Sequence, residues 1–262
     1  MEFLYWLWGW LAANPIVPAV VIFGWISVFH QSFFLHRYSA HKMYTMSSFM
    51  ERLVHFSTWL SMGSSYLVPR GYAILHREHH AYSDTDKDPH SPHHVPDLFT
   101  MMWNTKKRYG QICRRTAPIE DRFLGGYPEW SLIDEIGNNR FARVVWGALY
   151  TVLFYFFVTA WWQWLLLPIV FVMGPVHGAI VNWCGHKYGY RNFDLPDESV
   201  NTLIFDAVTA GELFQNNHHK FSRSPNFAQR WFEIDPTFQV MRVLHWLRLI
   251  KLHRPKTTAD MI

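Results

Sequence analysis

The sequence predicts an all-α integral membrane protein in which about three spanning helices, four if the aromatic N-terminus joins a crossing, carry a helical cytoplasmic cap. Three observations predict this class. Half of the 262 residues are hydrophobic and 18% are aromatic. Only 17% are charged, against about 25% in an ordinary soluble domain. The charges are also segregated, which the near-neutral mean hydropathy of -0.07 conceals. No Asp, Glu, Lys or Arg occurs from Phe3 to Leu35, or from Val144 to His186. Each stretch exceeds the ~20 residues that a helix needs to cross a bilayer. Disorder, a disulfide scaffold and a collagen repeat are excluded on composition.

Taken in order, the opening FLYWLWGW is aromatic enough to lie at the headgroup level. No basic segment precedes it, so no cleavable signal peptide is expected. The first span is placed at about Pro15–Leu35. Leu53 to Pro69 is charge-free but rich in Ser, Thr and His, and reads as an interfacial or half-buried helix with Pro69 near its end. Val144 to His186 is long enough for a hairpin of two spans, 144–160 and 164–184, turning at Trp161, Trp162, Gln163 and Trp164. Near the C-terminus Val240, Val243, Leu244, Leu247 and Ile250 recur at helical spacing. Lys and Arg are confined to 37–143 and to the chain from Lys187 onward, so by the positive-inside rule both polar portions face the cytoplasm. Residues 36–143 and 187–262 then form one cap, and residues 1–262 one domain. The net charge of +4 reads as the basic flanks of a membrane protein, not as a nucleic-acid surface. Cys113 and Cys184 form no zinc or redox spacing and read as free thiols.

Sixteen histidines are clustered. His76, His79 and His80 in HREHH stand at i, i+3 and i+4, one face of a helix. His36 and His41 follow the first span, Asn182 and His186 lie one turn apart where the last one ends, and His218 and His219 are adjacent. The chain crosses the membrane zero times or twice between any two clusters, so His36, His41, His76, His79, His80, His186, His218 and His219 can meet. Imidazoles suit iron, zinc, copper and nickel. Eight overshoot a four-ligand structural zinc site, and neither H-E-x-x-H nor Glu-x-x-His is present. Eight nitrogens over two metals give about four each, which suggests a histidine-rich di-iron centre. A calcium loop at Asp84–Asp88 is rejected, because Pro89 and Val95 stand where Gly and Glu are required. Those carboxylates either orient imidazoles of HREHH or are solvated. His90, His93 and His94 read as surface or supporting residues, and His30 and His177 as intramembrane hydrogen-bonding groups rather than haem ligands.

Together, H-x4-H at 36–41, H-x2-H-H at 76–80, N-x3-H at 182–186 and the pair at 218–219 resemble the membrane fatty-acyl desaturases. The acyl-CoA (stearoyl-CoA, delta-9) type is the closest, over about residues 15–250. The resemblance implies two non-haem irons at the cytoplasmic face, O2 as co-substrate, and oxidation of a saturated acyl chain carried on CoA, carrier protein or lipid. It carries the eight histidines over as iron ligands and gives Asn182 a water-mediated role. Two departures stand out. Gln215 replaces the histidine that opens the family's last box, and is expected to hydrogen-bond a metal-bound water, the alternative being ligation through its amide oxygen. The acyl-CoA type usually has four spans.

Reducing O2 to two waters takes four electrons, and the acyl chain supplies two. The chain has no haem, ferredoxin or dinucleotide motif, so a separate donor of ferredoxin, rubredoxin or cytochrome b5 type is expected. Lys106, Lys107, Arg108, Arg114 and Arg115 are candidates for docking that donor or an anionic headgroup. No catalytic side chain beyond the metal site is expected. An alkane or fatty-acid hydroxylase is the alternative enzyme, and a metal or haem carrier the non-enzymatic one. The expected location is a membrane, the bacterial inner membrane ahead of the endoplasmic reticulum.

Overall fold

The aromatic N-terminus forms helix α1 (Glu2–Ala13), which buries none of its residues; the computed structural model describes residues 1–253. Asn14 and Pro15 separate it from α2 (Ile16–His30). The first span was expected to end at Leu35, but α2 runs straight into a π-helical stretch, Gln31–Ala40. The physical reason is that these last residues are packed inside protein: Ser32, His36, Arg37 and Ser39 are all buried. Arg37 is anchored there by Pro225 O at 2.8 Å, Asp235 Oδ1 at 3.1 Å and the face of Phe227.

Among the described residues, Ile16–Ala40 is the one helix long and apolar enough to cross a bilayer unaided, and a bent pair would make a second. The three-span expectation changes accordingly. The span expected at 144–160 is α7 (Arg140–Phe157), which exposes Val144, Leu149, Val152 and Phe156 but begins with Arg140 and Arg143. The span expected at 164–184 is broken. A 3-10 turn (Trp161–Leu166), α8 (Leu167–Phe171) and α9 (Met173–Cys184) follow one another, with a 71° bend before α9. Pro175 has no N–H to offer the Phe171 carbonyl. Ser64 Oγ and Ser65 Oγ donate to that carbonyl instead, at 2.9 and 3.1 Å.

The helix read from Leu53 onward is α3 (Ser48–Met62), N-capped by Ser47. Pro69 does not close it; it opens α4 (Pro69–Tyr82), where a missing N–H costs nothing. Helices α5 (Leu98–Arg114), α6 (Ser131–Asn138), α10 (Gln215–Lys220) and α11 (Pro236–Trp246) complete a mostly helical fold. The C-terminal helical repeat stops at Trp246. Ile250 lies instead in strand β2 (Ile250–Leu252), antiparallel to β1 (Tyr44–Met46), with Met46 opposite Ile250. The main core packs Phe33, Phe34, Leu35, Tyr44, Met62 and Phe214 around the π-helical stretch. That stretch is therefore the rigid wall from which the site is built.

Candidate metal centre

The H-x4-H spacing explains the π-helix. On an α-helix, residues five apart point roughly 140° away from each other. Here His41 N donates to His36 O at 3.2 Å, an i+5 bond that turns the pair to one side. Helix α4 contributes differently from the single face expected of HREHH. His76 and His80, one turn apart, face one group of ligand atoms, while His79 faces another. Adjacent residues on a helix diverge by about 100°, so His218 and His219 on α10 also divide between the two groups. His186, just beyond α9, joins the second.

All eight histidines come together, but five and three rather than four and four. The first group is His36, His41, His76, His80 and His218; the second is His79, His186 and His219. In the first, Nε2 atoms approach at 3.0 Å (His36–His218), 2.8 Å (His41–His76), 3.0 Å (His76–His80) and 2.9 Å (His80–His218). Two nitrogens at right angles on one ion, each bonded at ~2.1 Å, would lie about 3 Å apart. In the second group, each ring is held by a carboxylate. His79 Nδ1 donates to Asp88 Oδ2 at 2.8 Å, His186 Nδ1 to Asp84 Oδ2 at 2.8 Å and His219 Nδ1 to Asp197 Oδ2 at 3.0 Å. All three Nε2 atoms are buried without a hydrogen-bond partner. A buried orphan nitrogen costs about 1–3 kcal/mol, and three converging ones fit a metal ion.

The electrostatics agree with that fit. Burial, and then the neighbouring imidazoles, holds His41, His76, His80 and His218 well below the ordinary histidine range, in the form that offers a lone pair. Burial also lowers His79, but Asp88 outweighs it and raises this ring. Burial brings His219 down to about 4 against the pull of Asp197. For the carboxylates burial acts upward and the adjacent imidazole prevails, so Asp84 and Glu212 sit at about 2. Glu212, missed in the sequence, accepts from His36 Nδ1 and, at 2.5 Å, from Ser32 Oγ. Asp197 was missed too, since D-L-P-D-E-S carries no spacing that marks it.

The acidic loop after HREHH is not solvated at its ends: Asp84 and Asp88 are the carboxylates just described. The other histidines support it. His90 packs against His79 with ring centroids 5.2 Å apart, His93 Nε2 bonds the His186 carbonyl at 2.8 Å, and His94 Nε2 bonds the Asp84 carbonyl at 2.8 Å. His30 bonds Ile26 O and Ser57 Oγ as expected. His177 does not follow suit; both its ring nitrogens are buried and unpartnered. Asn182 is partly buried on α9, and its side chain makes no hydrogen bond among the described residues. Cys113 and Cys184 are free. In the basic patch, Arg108 is occupied by Glu78, whose Oε2 lies 2.8 Å from Nε, while Lys106, Lys107, Arg114 and Arg115 are exposed.

Gln215 belongs to neither histidine group. Its Nε2 donates to Glu212 O at 2.6 Å, and its side chain lies against Gly185, next to His186. It stands one turn before His219 on α10. We expect Gln215→Ala to keep most of its metal and lose activity only in part, whereas His218→Ala loses both. Gln215→His should be tolerated and bind metal more tightly. Metal analysis of the purified variants decides this, and equal metal loss in Gln215→Ala and His218→Ala would make the amide a ligand.

A family model described as fatty acid desaturase matches residues 8–244. The chain is 27% identical over 272 residues to an sn-1 stearoyl-lipid 9-desaturase of Synechocystis, an alignment covering 99% of this chain and 77% of the other. It is 28% identical over 257 residues to a hex-5-enoyl-(acyl-carrier protein) acetylenase of Moorena producens, covering 93% and 78%. It is 26% identical over 245 residues to an acyl-CoA 5-desaturase of Anemone leveillei, covering 88% and 69%.

Proposed function

This chain belongs to the fatty acid desaturase family, and from that premise we propose that it is an oxygen-dependent di-iron enzyme that places a double bond in a saturated fatty acyl chain. It is an oxidoreductase acting on fatty acyl chains, and an apolar helix of membrane-spanning length associates it with a membrane. The observation that carries the iron assignment is the convergence of eight histidines, three of them carboxylate-backed with buried orphan Nε2 atoms. Cysteine is absent from both groups and the carboxylates stand behind imidazoles, a nitrogen-rich set that suits iron.

In this reading the five-histidine and three-histidine groups each hold one iron. Bound there, the two irons supply the activation of O2 and the breaking of unactivated C–H bonds, which no side chain can do. The protein's own work is orientation. Asp84, Asp88, Asp197 and Glu212 fix the Nδ1 protons of His186, His79, His219 and His36, so that each Nε2 lone pair points inward. The π-helical stretch and α4 keep the rings from relaxing apart, because Arg77 ties the two through the Ser39 and Ala40 carbonyls at 3.0 Å each. Electrons come from a separate carrier protein. The relatives' names include lipid, acyl-carrier protein and CoA as acyl carriers, and the exposed cations of α5 are where we place an anionic headgroup. We place residues 36–143 and 187–253 in the cytoplasmic cap of one domain; the rest of the cap expected from the sequence, 254–262, lies outside the described residues.

The test is expression in a host without desaturases, followed by mass spectrometry of its fatty acids. A new double bond is expected. A hydroxy acid in its place would overturn the reading in favour of a hydroxylase.

A further inference from the structure

A cavity of about 940 Å³ opens beside the five-histidine group, with His41 and His80 in its lining. Its cations are Lys42, Arg77, Arg122 and Arg223, and no carboxylate lines it among the described residues. Arg122 is paired with Glu120, its Nε 2.8 Å from Oε2. The other three have no carboxylate partner among the described residues. Arg77 is spent on carbonyls alone, donating to Ser39, Ala40, Phe123 and Gly125, so it is fixed in place with its charge uncompensated. Lys42 and Arg223 are exposed at the surface.

We propose that this cavity is the docking site of an acidic one-electron carrier protein, whose redox group sits over His41 and His80. The proposal rests on the desaturase reading and names the partner that reading requires. Forming one double bond removes two electrons and two protons from the acyl chain. Reducing O2 to two waters consumes four of each, so two electrons arrive singly from the carrier and two protons from solvent. A field of unpaired cations without carboxylates steers an acidic surface and fixes its orientation. The His41 and His80 rings reach from the cavity into the proposed metal group, so an electron entering here crosses only imidazole. An acyl headgroup fits less well, because its site must continue into an apolar channel for the chain, whereas this lining sets Lys42, Arg77, Arg122 and Arg223 beside the His41 and His80 rings.

The experiment uses the full chain in lipid nanodiscs, iron-loaded, with three acidic carriers as probes: a plant-type ferredoxin, a rubredoxin and a cytochrome b5 domain. Affinity is measured directly against salt, alongside KM for carrier and for stearoyl substrate. At least one carrier should bind with affinity that falls as salt rises, and Lys42→Glu combined with Arg223→Glu should weaken it on the order of tenfold, leaving the acyl KM unmoved. Unchanged carrier affinity in the double variant, or no binding of any probe to the unaltered chain, overturns the docking site. A rise in acyl KM alone would give the cavity to the headgroup. Failure of the underlying reading is seen separately, as absence of a new double bond in the expression host.

Discussion

Replacing His79 by Ala should remove the metal of the three-histidine group and abolish desaturation. His79 is buried, its Nδ1 is fixed by Asp88, and its Nε2 has no other partner. Its ring lies 5.0 Å from that of His186 and 5.1 Å from that of His219. Without it only two imidazoles remain, too few to hold an ion against water. Metal content should fall from about two to about one per chain, and product should fall to background. The fold should persist, since Asp88 still accepts from the backbone amides of Asp84 and His90 at 3.0 and 2.9 Å. His245→Ala is the control: this exposed histidine on α11 belongs to neither group, and its loss should leave both metals bound. Metal analysis of folded, membrane-extracted protein gives the answer. A His79→Ala protein that keeps two metals and its activity would remove His79 from the site.

The convergence of the eight histidines was legible because their spacing, and the charge-free runs between their clusters, are both properties of the linear sequence. Their division was not. H-x2-H-H reads as one face of a helix, yet α4 lies between the two groups, so i and i+4 serve one and i+3 the other. The π-helix was hidden for a related reason: nothing in QSFFLHRYSA marks an i+5 hydrogen bond, and only the need to turn His36 and His41 together reveals it. Charge-free runs located the apolar segments but overstated their continuity. Pro175 could have flagged the break before α9; the serines that satisfy the freed Phe171 carbonyl lie more than 100 positions away, beyond any local pattern. The supporting carboxylates were half legible. Asp84 and Asp88 follow HREHH closely, whereas Glu212 and Asp197 meet their histidines only through the fold.

The neutral amide in Asp84→Asn should weaken metal binding at the three-histidine group by about 10- to 100-fold and lower turnover with it. Asp84 Oδ2 accepts from both His186 Nδ1 and the Glu198 amide, at 2.8 Å each, and Oδ1 accepts from Ser91 Oγ at 2.8 Å. It thereby ties the loop after α4 to the residue just beyond the end of α9. Its φ of 57° lies in the left-handed region, which Asp and Asn both tolerate. The exchange therefore preserves the backbone and removes the charge, and Ala at the same position would confound the two. With Asn, the amide oxygen can still face His186 and Glu198 while its NH2 turns to the Ser91 hydroxyl. What is lost is the anion that orients the imidazole and strengthens its Nε2 as a donor. The five-histidine group has no contact with Asp84 and should retain its metal, so a titration should resolve one weakened site beside one unchanged. Equal weakening of both sites would mean that Asp84 supports the fold rather than one ligand. No weakening at either would mean that the carboxylate behind His186 is idle.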